Sequence, residues 1–347
     1  MATGTAPRQT APRPGAFDEL ARRLDDGVAS GALARLHGVV VLQQGERLFE
    51  RYWTDEDEAW GQPLGRVAYG PDKLHDLRSV TKSIVGLLYG IALEKELVPP
   101  PETPLLEAFP GFEHLADDPR RRRETIEHAL TMTMGNRWDE GTDYSDPKNA
   151  EHAMELSHDR VRFVLEQPME REPGERWHYS GGATALLGAL LVRGTGQTLP
   201  AFARERLFGP LGIETVEWVK APVIGDAVPA SGLRLRLRDL ALVGAMVLRQ
   251  GRWSGRQIVP AAWIERSMVP RVAMGESGIG YGYQWYLSSP APPVRWYGAV
   301  GNGGQAMTLH REGEIVVAVN GGRYNSAEAW RLPYAVEVDH VFPTLFR

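Results

Sequence analysis

Apolar residues recur at helical spacing near the start of the chain: Phe17, Leu20, Ala21, Leu24 and Val28 predict a helix over 16–31. The period then shortens. Gly38 to Leu42 and Arg47 to Trp53 are two β-rich runs around Gln44-Gly45-Glu46, which reads as a hairpin. The other end repeats the theme, with Ala306 to His310 and Glu314 to Asn320 around Glu312-Gly313 and a helical pattern over 325–346. Strand pairs at both ends, each beside a terminal helix, predict a mixed α/β fold. One antiparallel sheet is built from N- and C-terminal segments and flanked by helices.

The middle of the chain is mostly helical in pattern. Ser79 to Leu97 is apolar on nearly every face and therefore reads as a buried helix. Thr125 to Met134, His152 to Gln167, Gly182 to Arg193 and Leu199 to Leu207 are further helices, with Gly194 where a C-cap would stand. Met134 to Asn149 is a long polar interval with Trp138 and Tyr144 among acidic residues, as a lid or binding loop would be. The expected organisation is a disordered tail over 1–15, an α/β domain from 16–78 and 215–347, and a mainly helical domain inserted at 79–214. The active site is expected in the cleft between the two domains.

Composition narrows the classes. The 347 residues carry 39 Lys and Arg against 44 Asp and Glu, a net charge of −5, which offers no footprint for nucleic acid. The longest nearly apolar run, Ile84 to Leu93, is too short to span a bilayer, so no membrane partner is expected. The N-terminal tail lacks the apolar core of a secretory signal, which points to the cytoplasm. With no Cys, thiolate nucleophiles and Cys-ligated zinc are excluded. The histidines show no metal-ligand spacing, so no metal is expected. Lysine is scarce, occurring only at 73, 82, 95, 148 and 220.

One of those lysines sits in Ser79-Val80-Thr81-Lys82, at the start of the buried helix. Residues three apart share a helix face, so Lys82 can reach the Ser79 hydroxyl. A serine hydroxyl needs a base to act as a nucleophile, and burial disfavours the charged form of a lysine. A capping serine followed by an unrelated lysine has the same spacing. The apolar surroundings favour the catalytic reading, because an unpaired lysine there is costly. Tyr179-Ser180-Gly181 lies at a second junction before a helix, where a phenol can serve as acid or base or simply pack. Gly301-Asn302-Gly303-Gly304-Gln305, just before a strand, offers backbone N–H groups to a ligand or makes a tight turn.

In this order the elements resemble the serine hydrolases of the class C β-lactamase-like, penicillin-binding-protein-like superfamily. Within it the chain looks most like the esterase and 6-aminohexanoate-dimer (nylon oligomer) hydrolase branch. The resemblance covers nearly all of residues 35–335. It includes Asp76 to Ser83, Ala129 to Gly135, Pro173-Gly174 ahead of Tyr179 to Gly182, Leu207-Phe208 with Pro210 to Ile213, Gly280 to Trp285, and Gly301 to Gln305. It implies a β-lactamase/transpeptidase-like fold. Ser79 is then the nucleophile, and Lys82, neutral, takes its proton with help from Tyr179. The oxyanion hole is formed by the N–H groups of Ser79 and Asn302, or of Gly304 if the glycines shift the alignment. Trp138, Tyr144, Trp285, Gly301 and Gly303 are candidates for substrate binding, with Tyr144 also a candidate proton donor. The acidic loop 139–146 could hold a substrate amine or be simply solvated. No metal or organic cofactor is implied. The oligomeric state stays open, a homodimer included.

Two departures bear on substrate. The family's second motif usually ends in Asn, where this chain has Gly181. The third, Lys/His-Thr-Gly in β-lactamases and peptidases, is here Ala299-Val300-Gly301. Losing the charge-assisted contact to a substrate carboxylate costs roughly 1.5–3 kcal/mol. The expectation is therefore a carboxylesterase or amidase acting on a small-molecule ester or amide. A β-lactamase or D-alanyl-D-alanine peptidase is the alternative, and a non-catalytic binding protein on the same fold is the alternative of a different class.

Overall fold

The computed structural model describes residues 14–288 and 296–346. The expected tail thus lies almost wholly outside the described residues. The chain forms two compact units. One comprises the segment up to Val80, Arg234–Arg249, and the segment from Ser288 onward; the other comprises Thr81–Leu233 and Gln250–Leu287.

The first unit is organised by a sheet of which two adjacent inner strands, Leu36–Gln43 and Ile315–Gly321, come from distant parts of the sequence and pair antiparallel, Val40 opposite Ala318. Glu46–Tyr52 continues the sheet on one side, and Ala306–His310 with Trp296–Val300 on the other. Both of these strands are buried on both faces, hence their near-continuous Val, Ile and Leu content. Alternation divides those side chains. Val39, Val41, Ile315, Val317 and Val319 join Leu20 and Leu24 of the helix Ala16–Ala29, and Leu332, Val336 and Val341 of the C-terminal helical segment, in one core cluster. The helix Leu237–Leu248 packs on this sheet through Gly244, where a methyl group would come within 2.8 Å of Leu309 and 2.9 Å of Val316.

The first hairpin turns on Gln44 and Gly45, both at positive φ (49° and 76°), the type I′ geometry that matches strand twist. A second hairpin, Thr54–Ala59 with Gln62–Ala68, turns on Trp60 and Gly61 in the same way (47° and 85°). Its first strand, Thr-Asp-Glu-Asp-Glu-Ala, has poor β propensity and is formed by pairing rather than by composition.

The second unit is built around the apolar helix that begins at Val80 and runs to Glu94. Ile126–Thr131, Ala150–Glu155, Arg160–Leu165 and Gly181–Thr195 are its other main helices. The helix expected over 152–167 is two, because Asp159 caps a new start by accepting from Arg162 N–H. Gln284 ties three of the helices together. Its side chain donates to the Ala129 and Leu130 carbonyls, each at 3.1 Å, and accepts from Thr184 at 2.8 Å; its carbonyl accepts from Ser83 at 2.6 Å. Trp263 donates to the Gly86 carbonyl at 2.9 Å. These contacts explain why 250–287 groups with the helical unit, although the sequence boundary at 215 assigned it to the sheet. Among the described residues no helix is long and apolar enough to cross a membrane.

Gly194 is not the helix cap expected from sequence. The helix continues to Thr195 and is capped by Gly196 in the left-handed region (φ 67°). A methyl group on Gly194 would instead overlap the Leu97 carbonyl oxygen. Gly194→Ala is therefore expected to destabilise the protein by about 1–3 kcal/mol through overpacking. Gly196→Ala is expected to lose about 1 kcal/mol through backbone strain. Urea unfolding of both variants checks the order.

Candidate active site

Lys82 is 2% exposed, one turn into the central helix of the helical unit. A buried lysine requires compensation, and its surroundings include three groups that supply it. Its Nζ donates to the Ala230 carbonyl at 3.1 Å, lies 3.5 Å from Oε2 of Glu151, and stands 4.9 Å from the centre of the Tyr179 ring. The structure thus brings Lys82 and Tyr179 together as the motifs imply. It adds an acid that the sequence reading missed. Glu151 is equally buried; Oε1 accepts from Ser231 at 2.5 Å, while Oε2, facing Lys82, has no hydrogen-bond partner among the described residues. The Asn149 side chain caps the short helix that carries it, accepting from the N–H groups of Glu151 and His152.

A second acid stands close by. Glu140 accepts from the Trp138 indole and the Gly181 N–H, both at 2.5 Å, and from the Tyr144 hydroxyl at 2.7 Å. Burial, then the neighbouring Glu151, pushes its carboxyl above the usual range, and Lys82 opposes this. Burial and Glu140 likewise hold the Tyr144 phenol well above its ordinary value. His178 next to Tyr179 donates from Nε2 to the Trp138 carbonyl, and its own backbone N–H donates to the Met132 carbonyl at 2.8 Å. It therefore pins the Tyr179 segment to the 132–138 segment, a structural task.

The aromatic candidates divide. Tyr144 is half-buried and committed to Glu140. Trp138 and Trp285 are enclosed, at 4% and 0% exposure, and have no open face for a substrate wall. Trp138 packs edge-on to Phe163 and over Gly182.

Ser79 belongs to the sheet unit and is half-buried, immediately before the helix that begins at Val80. The residue before it, Arg78, is held at φ 47°, a strained conformation for a side chain of that size. Neighbours over-determine it. Its guanidinium pairs with Glu58, lies 3.5 Å from Asp76 and stacks 4.8 Å over Tyr324. Asp76 in turn accepts from Trp60 N–H at 2.5 Å and from Arg234 at 2.7 Å. Gly301 lies against this turn, since a methyl group there would come within 2.6 Å of the Leu77 carbonyl oxygen. Within the 301–305 loop, the Gly301 N–H donates to the Gln305 carbonyl, and those of Gly303 and Gly304 donate to the Gly301 carbonyl. The Asn302 N–H has no acceptor among the described residues, and the Asn302 side chain exchanges hydrogen bonds with Asn325 (2.8 and 3.1 Å). Gly301 and Gly303, expected as substrate contacts, owe their missing side chains to packing. A methyl group at either would press on Gln305, and at Gly303 on the Tyr324 ring as well.

Spacing showed no metal-ligand pattern, yet His37, Asp57 and His75 converge in the sheet unit, their ligand-capable atoms within 4.8 Å of one another. Hydrogen bonds account for the arrangement. His75 Nδ1 donates to the Asp76 carbonyl at 2.8 Å, so with both rings neutral its Nε2 accepts from His37 Nδ1 at 2.9 Å. Asp57 accepts from Tyr324 at 2.9 Å and from Tyr69. The network includes a residue of the strand Leu74–Asp76 that leads to Ser79.

Comparisons with known proteins agree with the architecture. A model of the Beta-lactamase family matches residues 17–332. Esterase EstB of Burkholderia gladioli is 33% identical over 275 residues, covering 75% of this chain and 67% of the relative. The 6-aminohexanoate-dimer hydrolase of Paenarthrobacter ureafaciens is 24% identical over 292 residues, covering 78% and 69%. Among solved structures, the octameric penicillin-binding protein homologue from Pyrococcus abyssi superposes with a TM-score of 0.68 at 17% identity, covering 94% of this chain and 79% of that one. EstCE1, described as a hydrolase with promiscuous acyltransferase activity, superposes with a TM-score of 0.68 at 16% identity, covering 92% and 99%. The mixed α/β fold, with its antiparallel sheet and helices, is thus that of β-lactamase-like and penicillin-binding-protein-like structures.

The His37 network has a pH signature. Burial, then His75, lowers the His37 imidazole from its ordinary 6.5 to about 4, with Asp57 opposing. The unfolded chain therefore binds this proton more readily, and the stability present above pH 6.5 is lost as pH falls toward 4. Unfolding free energies measured from about pH 7.5 to about pH 4.5 are expected to fall less steeply in His37→Gln than in wild type, by about 2 kcal/mol across the window.

Proposed function

This chain belongs to the Beta-lactamase family, and on that premise we propose that it is a serine hydrolase cleaving carboxylic esters or amides through an acyl-enzyme on Ser79. The observation that carries this reading is the enclosed Lys82, one helical turn after Ser79 in sequence and facing the ring of Tyr179. A buried, compensated lysine beside a phenol, three residues after a serine that follows the strained Arg78, is an arrangement that ligand binding alone does not require.

The charge arrangement refines the proton path expected from sequence. Glu151 lies 3.5 Å from Lys82 Nζ, which supports Lys82 acting as an ammonium rather than as the neutral base. The Tyr179 oxygen then takes the Ser79 proton, with Lys82 as counter-charge to the phenolate. Ser79 attacks the carbonyl carbon, and the oxyanion is held by the N–H groups of Ser79 and Asn302. The Asn302 N–H is the donor in the 301–304 loop left without an acceptor among the described residues, which favours it over Gly304. Tyr179 returns the proton to the leaving alcohol or amine, and water cleaves the acyl-enzyme by the same route in reverse.

The esterase and aminohexanoate-dimer hydrolase names among the relatives favour this chemistry over β-lactam hydrolysis. So does Ala299-Val300-Gly301, which offers no cation or hydroxyl for a substrate carboxylate.

The test is release of nitrophenol from a short-chain p-nitrophenyl ester, with intact-mass detection of the acyl-enzyme. Wild type is expected to turn over, and Ser79→Ala to lose at least about 10³-fold together with the mass adduct. Tyr179→Phe is expected to fall by about 10²–10⁴-fold. Nitrocefin is expected to be a far poorer substrate. Full ester turnover in Ser79→Ala would overturn the assignment.

A further inference from the structure

Position 181 is where the second motif lacks its usual side chain, and the structure shows what occupies the space. A methyl group on Gly181 would overlap Oε2 of Glu151 and come within 3.1 Å of Oε1 of Glu140. The bare glycine beside Tyr179 therefore leaves the space in which the carboxylate nearest Lys82 stands, and a side chain at 181 would have to displace that carboxylate.

We propose that Glu151 is the positioning residue of this site, its carboxylate standing in the space left by Gly181 and holding Lys82 as an ammonium against Tyr179. The inference rests on the catalytic reading of Ser79, Lys82 and Tyr179 given above. Three observations carry it. Glu151 is fixed from two sides, by Ser231 on Oε1 and by the Asn149 cap on its backbone. Its remaining oxygen is buried and makes no hydrogen bond among the described residues. The separation of 3.5 Å from Nζ is longer than a charge-assisted hydrogen bond, whereas Nζ donates to the Ala230 carbonyl at 3.1 Å. The link between Glu151 and Lys82 is therefore charge acting across a short gap.

Other charges bear on the same lysine, and none replaces Glu151. Glu140 is bound by the Trp138 indole, the Gly181 N–H and the Tyr144 hydroxyl. Glu155 is paired with Arg160 at 2.6 Å. Tyr286, Tyr144 and Tyr179 are the phenols nearby, and burial keeps the first two protonated through the neutral range.

Glu151→Gln removes the charge and nearly preserves the shape, leaving an acceptor for Ser231. Removing a negative charge from a site favours the less protonated forms of the groups that share it. Both limbs of the pH profile of kcat/KM for the p-nitrophenyl ester are therefore expected to move to lower pH, by roughly 1–3 units for a charge at this range. A purely structural residue would lower the rate without moving the limbs. The steric half is read separately. Gly181→Asn is expected to lose at least about 100-fold in kcat/KM, and Gly181→Asn with Glu151→Ala to recover at least about tenfold over it, since the pair is coupled. If Glu151→Gln does not fold, this second comparison carries the test.

A folded Glu151→Gln with unmoved limbs, or a Gly181→Asn variant as active as wild type, overturns the proposal. Ser79→Ala is assayed alongside. If it is inactive while the limbs of Glu151→Gln stay in place, only the role of Glu151 fails. If it keeps turnover, the catalytic reading itself fails.

Discussion

Burying a lysine is the constraint from which the helical unit follows. Lys82 sits on a helix that is otherwise apolar on nearly every face, where an uncompensated charge would destabilise the fold by several kcal/mol. The unit answers with a carbonyl from residue 230, an aromatic face from residue 179 and a carboxylate from residue 151. Each comes from a different segment, and each is secured by its own local device. Asn149 caps the helix of Glu151, Ser180 caps the helix after Tyr179, and Ser231 fixes the carboxylate next to Ala230. Gln284 locks the helix that follows Tyr179 to Ile126–Thr131. The polar residues around Lys82 thus form one connected system.

The sheet unit applies a different principle at Ser79, strain held by surrounding order. Arg78 in the left-handed region would relax if left alone. Glu58, Asp76 and Tyr324 hold its guanidinium, and Asp76 is itself locked by Trp60 and Arg234. The acidic hairpin strand Thr54–Ala59 makes sense in this light. Its Asp57 and Glu58 are partners in the surrounding network, so its composition serves the turn at Ser79 rather than strand propensity.

How much of this is legible in the chain depends on sequence separation. The two terminal strand pairs, the buried helix and the Ser-x-x-Lys spacing are local patterns, and the structure has them where periodicity places them. Glu151 lies in Ala-Glu-His-Ala-Met-Glu, a polar stretch with no signature, and only folding brings it to Lys82. His37, Asp57 and His75 are about 20 residues apart and converge only because two strands and a hairpin meet. The one usable signal is Gly181, a missing side chain in a recognisable motif, which implies that something else fills the space. Trp138 and Trp285 are misread from sequence because an aromatic residue in a loop-like stretch carries no mark of its burial. Gly194 is misread because close backbone approach and helix capping both select glycine.

The pairing of Leu36–Gln43 with Ile315–Gly321 has a consequence for the order in which the protein can be made. About 270 residues separate the two strands. At about 5–20 residues per second, the ribosome needs roughly 15–50 s after emitting the first strand to deliver its partner. During that interval one of the most apolar strands in the chain has only Glu46–Tyr52 beside it and an open hydrogen-bonding edge on the other side. Vectorial synthesis therefore leaves an adhesive edge exposed until the second strand has emerged. That edge has to stay free for its own partner until synthesis delivers it.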